Sequence, residues 1–189
     1  MSSKTMAFEH NQGMASDGGS AGAHAEESAS RVPQVRIEDG AGHLGVVREL
    51  IGEYVAWLGR DLTFQGIEEE LANLENKYLP PHGELIVAVE EENGAARVLG
   101  MVAWTRLGKE RCELKRFYVR PEARGRKVAA LLMDGIIKRA KKAGFREMVL
   151  DTLEGMVPAR TLYAKFGFER CDAYYENPMP DVVYMRRTL

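Results

Sequence analysis

The chain has 189 residues, 45% hydrophobic and 29% charged, with a net charge of −2. That length suits one domain of ordinary size with its own core. No run of about 18 apolar residues offers a membrane span, and the N-terminus lacks the apolar stretch of a secretory signal.

Cys112 and Cys171 are the only cysteines. Without a secretion signal they are expected to stay reduced, in the cytoplasm. They lack metal-ligand spacing, and His10, His24, His43 and His82 are scattered, so no metal is expected. Charge is unevenly placed: residues 1–92 hold 6 basic and 17 acidic residues, whereas 106–146 hold 14 basic and 4 acidic ones. Such asymmetry points to an anionic ligand near the middle of the chain. The alternative is a set of solvated helix faces, which accounts for Lys138, Arg139, Lys141 and Lys142 near a helix C-terminus. Nucleic acid is not expected, because neither aromatic interleaving nor a recognition-helix pattern is present.

Residues 1–32 are rich in Ser, Gly, Ala and Glu and predict a disordered tail. The pattern becomes globular over 33–189. Gln34–Glu38 alternates as a short strand. Leu44, Val47, Leu50, Ile51, Val55 and Leu58 have helical spacing, and a second helix is expected over Ile67–Tyr78, ended by Pro80-Pro81. Glu84–Glu90 and Val98–Leu107 predict a hairpin turning at Glu92-Asn93-Gly94. Arg111–Val119 is a third long strand. Val128, Leu131, Leu132, Met133, Ile136, Ile137 and Ala140 form the stripe of a helix stopped at Gly144. Glu147–Asp151 follows as a strand, Pro158–Phe166 as a short helix, then Phe168–Tyr174 and Val182–Arg187 as strands. Several consecutive strands before the first crossover helix argue for a mixed sheet of the α+β class.

Two motifs carry chemistry. In Tyr118-Val119-Arg120-Pro121-Glu122-Ala123-Arg124-Gly125-Arg126-Lys127-Val128-Ala129, a strand turns at a proline and opens a helix. Successive N–H groups at a helix N-terminus suit a diphosphate, and Arg120, Arg124, Arg126 and Lys127 crowd the spot with positive charge. It is not a P-loop, since Val128 follows Lys127, nor a dinucleotide fingerprint, since only Gly125 is present. The second motif is Ala159-Arg160-Thr161-Leu162-Tyr163-Ala164-Lys165-Phe166-Gly167-Phe168, which alone is an ordinary helix capped by Gly167.

Together, in this order of elements, the motifs resemble the Gcn5-related N-acetyltransferase (GNAT) superfamily over residues 33–189. Asp61-Leu62-Thr63-Phe64-Gln65, Cys112–Val119 and Leu150-Asp151-Thr152-Leu153 are similar to one group of small bacterial-type members. The resemblance implies a central, mostly antiparallel sheet of 6–7 strands flanked by about 4 helices. It implies acetyl-coenzyme A as co-substrate, with no metal. The strand end Phe117, Tyr118 and Val119 would pair with the pantetheine arm. The amides of Arg124, Gly125, Arg126, Lys127, Val128 and Ala129 would cradle the pyrophosphate. Two departures from the family pattern stand out. Lys127 occupies the place of a glycine, which fits only if its backbone is helical and its Cβ points away from the phosphates, the alternative being a direct phosphate contact from its side chain. Met156 replaces a common Asn.

The reaction implied is direct acyl transfer to an amine, which must lose a proton to attack. Glu113, six residues before Val119, stands where some relatives carry a general base; the alternative is a structural Glu paired with Lys115 or Arg116. Tyr163 corresponds to the general acid of many relatives; the alternative is a packed tyrosine. The backbone N–H of Val119, or one beside it, is the expected donor to the thioester oxygen. Cys112 has no histidine near it in sequence and is expected to be a small strand residue. Phe64, Gln65, Tyr174, Tyr175, Glu176 and Asn177 are candidates for binding a small-molecule amine. A protein or peptide N-acetyltransferase and a non-catalytic acyl-CoA sensor are the alternatives, and the sequence leaves a homodimer open.

Overall fold

The computed structural model describes residues 34–60, 66–92 and 94–189. The expected tail over 1–32 lies outside them, as do Phe64, Gln65 and the turn residue Asn93. Seven strands and five helices follow in chain order. They are β1 (Arg36–Asp39), α1 (Leu44–Leu58), α2 (Ile67–Ala72), α3 (Leu74–Tyr78), β2 (Gly83–Glu92), β3 (Ala95–Arg106) and β4 (Arg111–Val119). After them come α4 (Val128–Lys142), β5 (Glu147–Leu153), α5 (Val157–Lys165), β6 (Glu169–Arg170) and β7 (Val182–Thr188). The strands form one sheet in the order β1-β2-β3-β4-β5-β7-β6. Only β4 and β5 pair in parallel; the other neighbours are antiparallel.

The sheet is covered on both faces, which explains why β2 and β3 are nearly continuous apolar runs. Leu85, Val87, Val89, Met101 and Ala103 pack under Val47, Leu50 and Ile51 of α1 and Leu74 and Tyr78 of α3. Ile86, Ala88, Leu99, Val102 and Trp104 pack on the other face, against Leu132, Met133, Ile136 and Ala140 of α4.

Two expectations are corrected. The helix expected over Ile67–Tyr78 is two helices, broken at Asn73 (φ −137°, ψ 37°). An Asn side chain competes for local hydrogen bonds and favours such breaks; here its Oδ1 accepts from Asn76. The strand expected over Phe168–Tyr174 is only Glu169–Arg170. Beyond Cys171, whose N–H still donates to the Tyr184 carbonyl, the chain leaves the sheet. Its tyrosines cluster with Tyr184 and reach across to β4.

Candidate active site

Strands β4 and β5 are in register only at Arg111↔Glu147, Cys112↔Met148 and Glu113↔Val149. Beyond that point each stays with its outer neighbour, β5 with β7 as far as Leu153 and β4 with β3 as far as Val119. The two therefore part, and the β5-facing edge of β4 is unpaired. A bulge in β4 accompanies the parting: two residues of β3 span three of β4, and Arg116 has φ 53°. Arg116 is held there from outside the sheet. Its guanidinium reaches the wholly buried Glu70 carboxylate through Nε (2.5 Å) and Nη2 (2.8 Å), and Lys77 Nζ lies 2.5 Å from the same carboxylate.

The parted strands enclose a cleft of about 90 Å³. Leu114–Phe117 form one wall and Leu150–Leu153 the other, with Tyr54 from α1, Met156 just before α5, and Ala159 and Tyr163 of α5 also lining it. Tyr163 packs against Phe117 and Phe168. Burial, then the nearby Tyr54 and Asp151, push its hydroxyl well above the usual tyrosine range. It therefore holds its proton at neutral pH.

At the open end of β4 the chain makes a turn over Pro121–Ala123 and enters α4 through a second, tighter loop. Gly125 has φ 75° and Lys127 has φ 63°, ψ 7°. The helical backbone that a side chain at 127 was expected to need is thus not adopted. Lys127 takes the left-handed conformation natural to glycine, at a cost of about 1–2 kcal/mol. The Arg124 N–H, expected in the cradle, instead donates to the Pro121 carbonyl (3.2 Å). Among the described residues, no N–H from Gly125 to Ala130 makes a hydrogen bond of normal geometry, and no side chain caps α4. The N–H groups and the helix dipole together suit an anion.

The expected crowd of four cations is reduced to two. Arg120 pairs with Glu53 (2.7 Å) and donates to the Val98 carbonyl, and Arg126 pairs with Glu90. Arg124 stacks over Trp57, its guanidinium carbon 4.9 Å from the ring centroid, and has no carboxylate partner among the described residues; nor has Lys127. Part of the sequence's charge asymmetry is internal. Glu53, Glu70, Glu84 and Glu90 of the acidic half pair with Arg120, Arg116, Arg139 and Arg126 of the basic half.

A second cavity, of about 260 Å³, adjoins the cleft and is lined by Glu113, Lys115, Arg116, Tyr174, Tyr175 and Glu176, with Lys77 and Leu107 at its edge. Tyr174 donates to Glu113 Oε1 (2.8 Å), and Lys115 Nζ lies 2.8 Å from that oxygen and 3.9 Å from Asp151 Oδ1. Asn177 donates to Asp151 Oδ2 and to the Tyr175 hydroxyl, and the Tyr184 hydroxyl donates to the Tyr175 carbonyl. Burial and the Glu113 charge hold the Tyr174 proton firmly, and burial and Asp151 do the same for Tyr175. Glu113, Tyr174, Tyr175 and Glu176 thus come together around one cavity, with Asn177 beside them. Asp151 and the bridging role of Lys115 were missed, because only the parting of β4 from β5 brings their strands to one cavity.

Residues 44–168 match the model of the Acetyltransferase (GNAT) family. The chain belongs to this family. It is 51% identical over 138 residues to an uncharacterised N-acetyltransferase of Schizosaccharomyces pombe, covering 72% of this chain and 83% of that one. An acetyltransferase of Streptococcus agalactiae has the same fold, with a TM-score of 0.67 at 24% identity over 82% of this chain and 98% of the other. So has a GNAT acetyltransferase of Elizabethkingia anophelis whose crystal structure contains acetyl-CoA (TM-score 0.59, 20% identity, 82% and 98% coverage). The protein is therefore a GNAT-type acyltransferase with the expected mixed sheet.

The residues present fit an acyl-CoA co-substrate: an unpaired strand edge continues into a loop whose N–H groups are unspent. Met156, where the resemblance led to an expected Asn, lines the cleft. Among the described residues no cluster of three metal-ligating side chains occurs, and no helix is long and apolar enough to cross a membrane. Cys112 is buried, its thiol pushed up to about 12 by desolvation, which removes it as a nucleophile.

Proposed function

We propose that this GNAT enzyme transfers the acetyl group of acetyl-CoA to the primary amine of a small molecule, with Glu113 as general base and Tyr163 as general acid. The observation that carries the reading is the adjacency of two cavities. One holds a carboxylate at hydrogen-bonding distance from an ammonium; the other holds a buried, protonated tyrosine.

Bound acetyl-CoA supplies an activated acyl group, and this chain's residues do the rest. The edge of β4 at Phe117–Val119 aligns the arm of the co-substrate, and the amides of Gly125–Ala129 take its pyrophosphate. Arg124 and Lys127 add charge close by. Glu113 removes the proton that keeps an amine from attacking, and Tyr163 donates to the departing sulfur. The backbone N–H of Val119, or one beside it on β4, stabilises the developing oxyanion. A cavity of about 260 Å³ lies near the lower end of small-ligand sites, which favours a compact acceptor over a folded protein. Tyr174, Tyr175 and Glu176 line it.

The test is a screen of amines, amino acids and peptides with acetyl-CoA, following free thiol. Turnover of a compact amine, lost in Glu113→Gln and Tyr163→Phe, is expected. Turnover confined to long peptides would sink the small-molecule assignment.

A further inference from the structure

We propose that Lys115 is a site of self-acetylation. The inference rests on the acetyl-transfer reading above. Lys115 and Arg116 are the two residues that line both the cleft and the acceptor cavity. Arg116 is committed to Glu70, and a guanidinium remains protonated in proteins. Lys115 instead brings a primary amine, the group that the reaction consumes.

Its surroundings are those of an acceptor. The side chain is only 19% exposed, with Nζ 2.8 Å from Glu113 Oε1 and 3.9 Å from Asp151 Oδ1. Nζ also lies 5.9 Å from the centroid of the Tyr175 ring. Two carboxylates and an aromatic face are what hold an alkylammonium, and the proposed base is already within proton-transfer distance. Because the amine is tethered beside the cleft, its attack is effectively unimolecular and needs no second molecule to bind. Lys77 also has a carboxylate, Glu70, and an aromatic ring, Tyr78, but lines only the acceptor cavity and not the cleft; Lys138 pairs with Asp134 on an open helix face and is 72% exposed.

The step balances. Lys115 gives one proton to Glu113, its nitrogen attacks the acetyl carbon, and the C–N bond forms as the C–S bond breaks. The electron pair of the broken bond stays on sulfur, which takes a proton from Tyr163. The new amide sheds its second proton, which restores Tyr163, and the proton on Glu113 passes to solvent. The products are N-acetyl-lysine and free thiol. Acetylation erases the charge that Glu113 and Asp151 share, so the modified site offers the next acceptor ammonium two carboxylates that keep their Tyr174 and Asn177 hydrogen bonds but lack that counter-ion.

The experiment incubates the full chain with acetyl-CoA and no added amine, following intact mass and mapping modified peptides over time. One acetyl group per chain is expected, on Lys115, well ahead of Lys138. It should be absent in Lys115→Arg, slowed about 100-fold or more in Tyr163→Phe, and unselective in guanidinium-denatured chain. Thiol release with an external amine while Lys115 stays unmodified overturns the inference and leaves the transfer reading intact. Acetylation of Lys115 no faster than that of Lys138 overturns it as well. Lys115 acetylation in a protein that turns over no external amine supports it and overturns the small-amine reading instead.

Discussion

Replacing Glu70 tests whether the bulge that opens the cleft is held from outside the sheet. The Glu70 side chain is wholly buried and Arg116 is 5% exposed. The carboxylate takes two guanidinium contacts, at 2.5 and 2.8 Å, and Lys77 at 2.5 Å. Glu70→Ala removes the buried carboxylate that Arg116 and Lys77 share, and breaking a buried pair of this kind costs about 3–5 kcal/mol. At about 2–4 °C per kcal/mol for a domain of this size, the melting temperature should fall by about 6–20 °C. Arg116 also loses the anchor that keeps it at φ 53°, a conformation about 1–2 kcal/mol above its alternatives. The bulge should then relax toward regular strand and kcat should fall, measured well below the new melting temperature. Glu70→Gln, which keeps the shape and one acceptor oxygen, should restore much of kcat.

Acid sensitivity gives an independent readout. Burial alone would raise the Glu70 carboxyl, but the Arg116 and Lys77 hydrogen bonds outweigh it and hold it below the usual range. A depressed folded value means the stabilisation is complete above the unfolded value of about 4.3. It is lost as pH falls through the lower, folded one. Glu70→Gln should therefore flatten the acid limb of stability. Unchanged melting and unchanged turnover in Glu70→Ala would refute the argument.

Other substitutions probe the remaining parts. Lys127→Gly removes the left-handed strain, about 1–2 kcal/mol, against about 0.4–1 kcal/mol of added unfolded-state entropy. The variant should melt slightly higher by calorimetry and still bind acetyl-CoA; a lower melting temperature would show that the lysine side chain holds the loop. Tyr163→Phe preserves the packing on Phe117 and Phe168, so acetyl-CoA affinity by titration should hold while kcat falls about 10²–10⁴-fold. Because Tyr78, Tyr163 and Tyr174 are all raised on folding, the unfolded chain loses these protons first. Stability should therefore be intact below pH of about 10 and decline above it, as chemical denaturation across that range would reveal. Cys112 should resist thiol reagents at neutral pH in the native state and react on unfolding, since burial pushes its thiol up to about 12.

How much of this was legible in the sequence follows from which forces are local. The helices α1, α4 and α5, the strands β2–β5, and the loop at Gly125 all announce themselves through periodicity or turn chemistry, and the two motifs point to the family. Ranges failed where a local side-chain hydrogen bond or a tertiary contact won. Asn73 breaks a helix whose stripe continues through Leu71 and Leu74, and Tyr174 leaves a strand to reach Glu113. The site was half legible for the same reason. The resemblance to the family singled out Glu113 and Tyr163, but Asp151 and Lys115 meet only because β4 and β5 hold register for three residues and then part. The basic run misled most plainly. Arg120 and Arg126 look free for a ligand in one dimension, yet Glu53, 67 positions away, and Glu90, 36 positions away, claim them in the fold. What remains for an anion is largely backbone: the N–H groups of Gly125–Ala130, which no residue count reports. That also explains how a lysine is tolerated in the place of a glycine. The cradle needs the left-handed turn at 127 more than it needs the absence of a side chain, and one turn of about 1–2 kcal/mol is within what a packed α4 sustains.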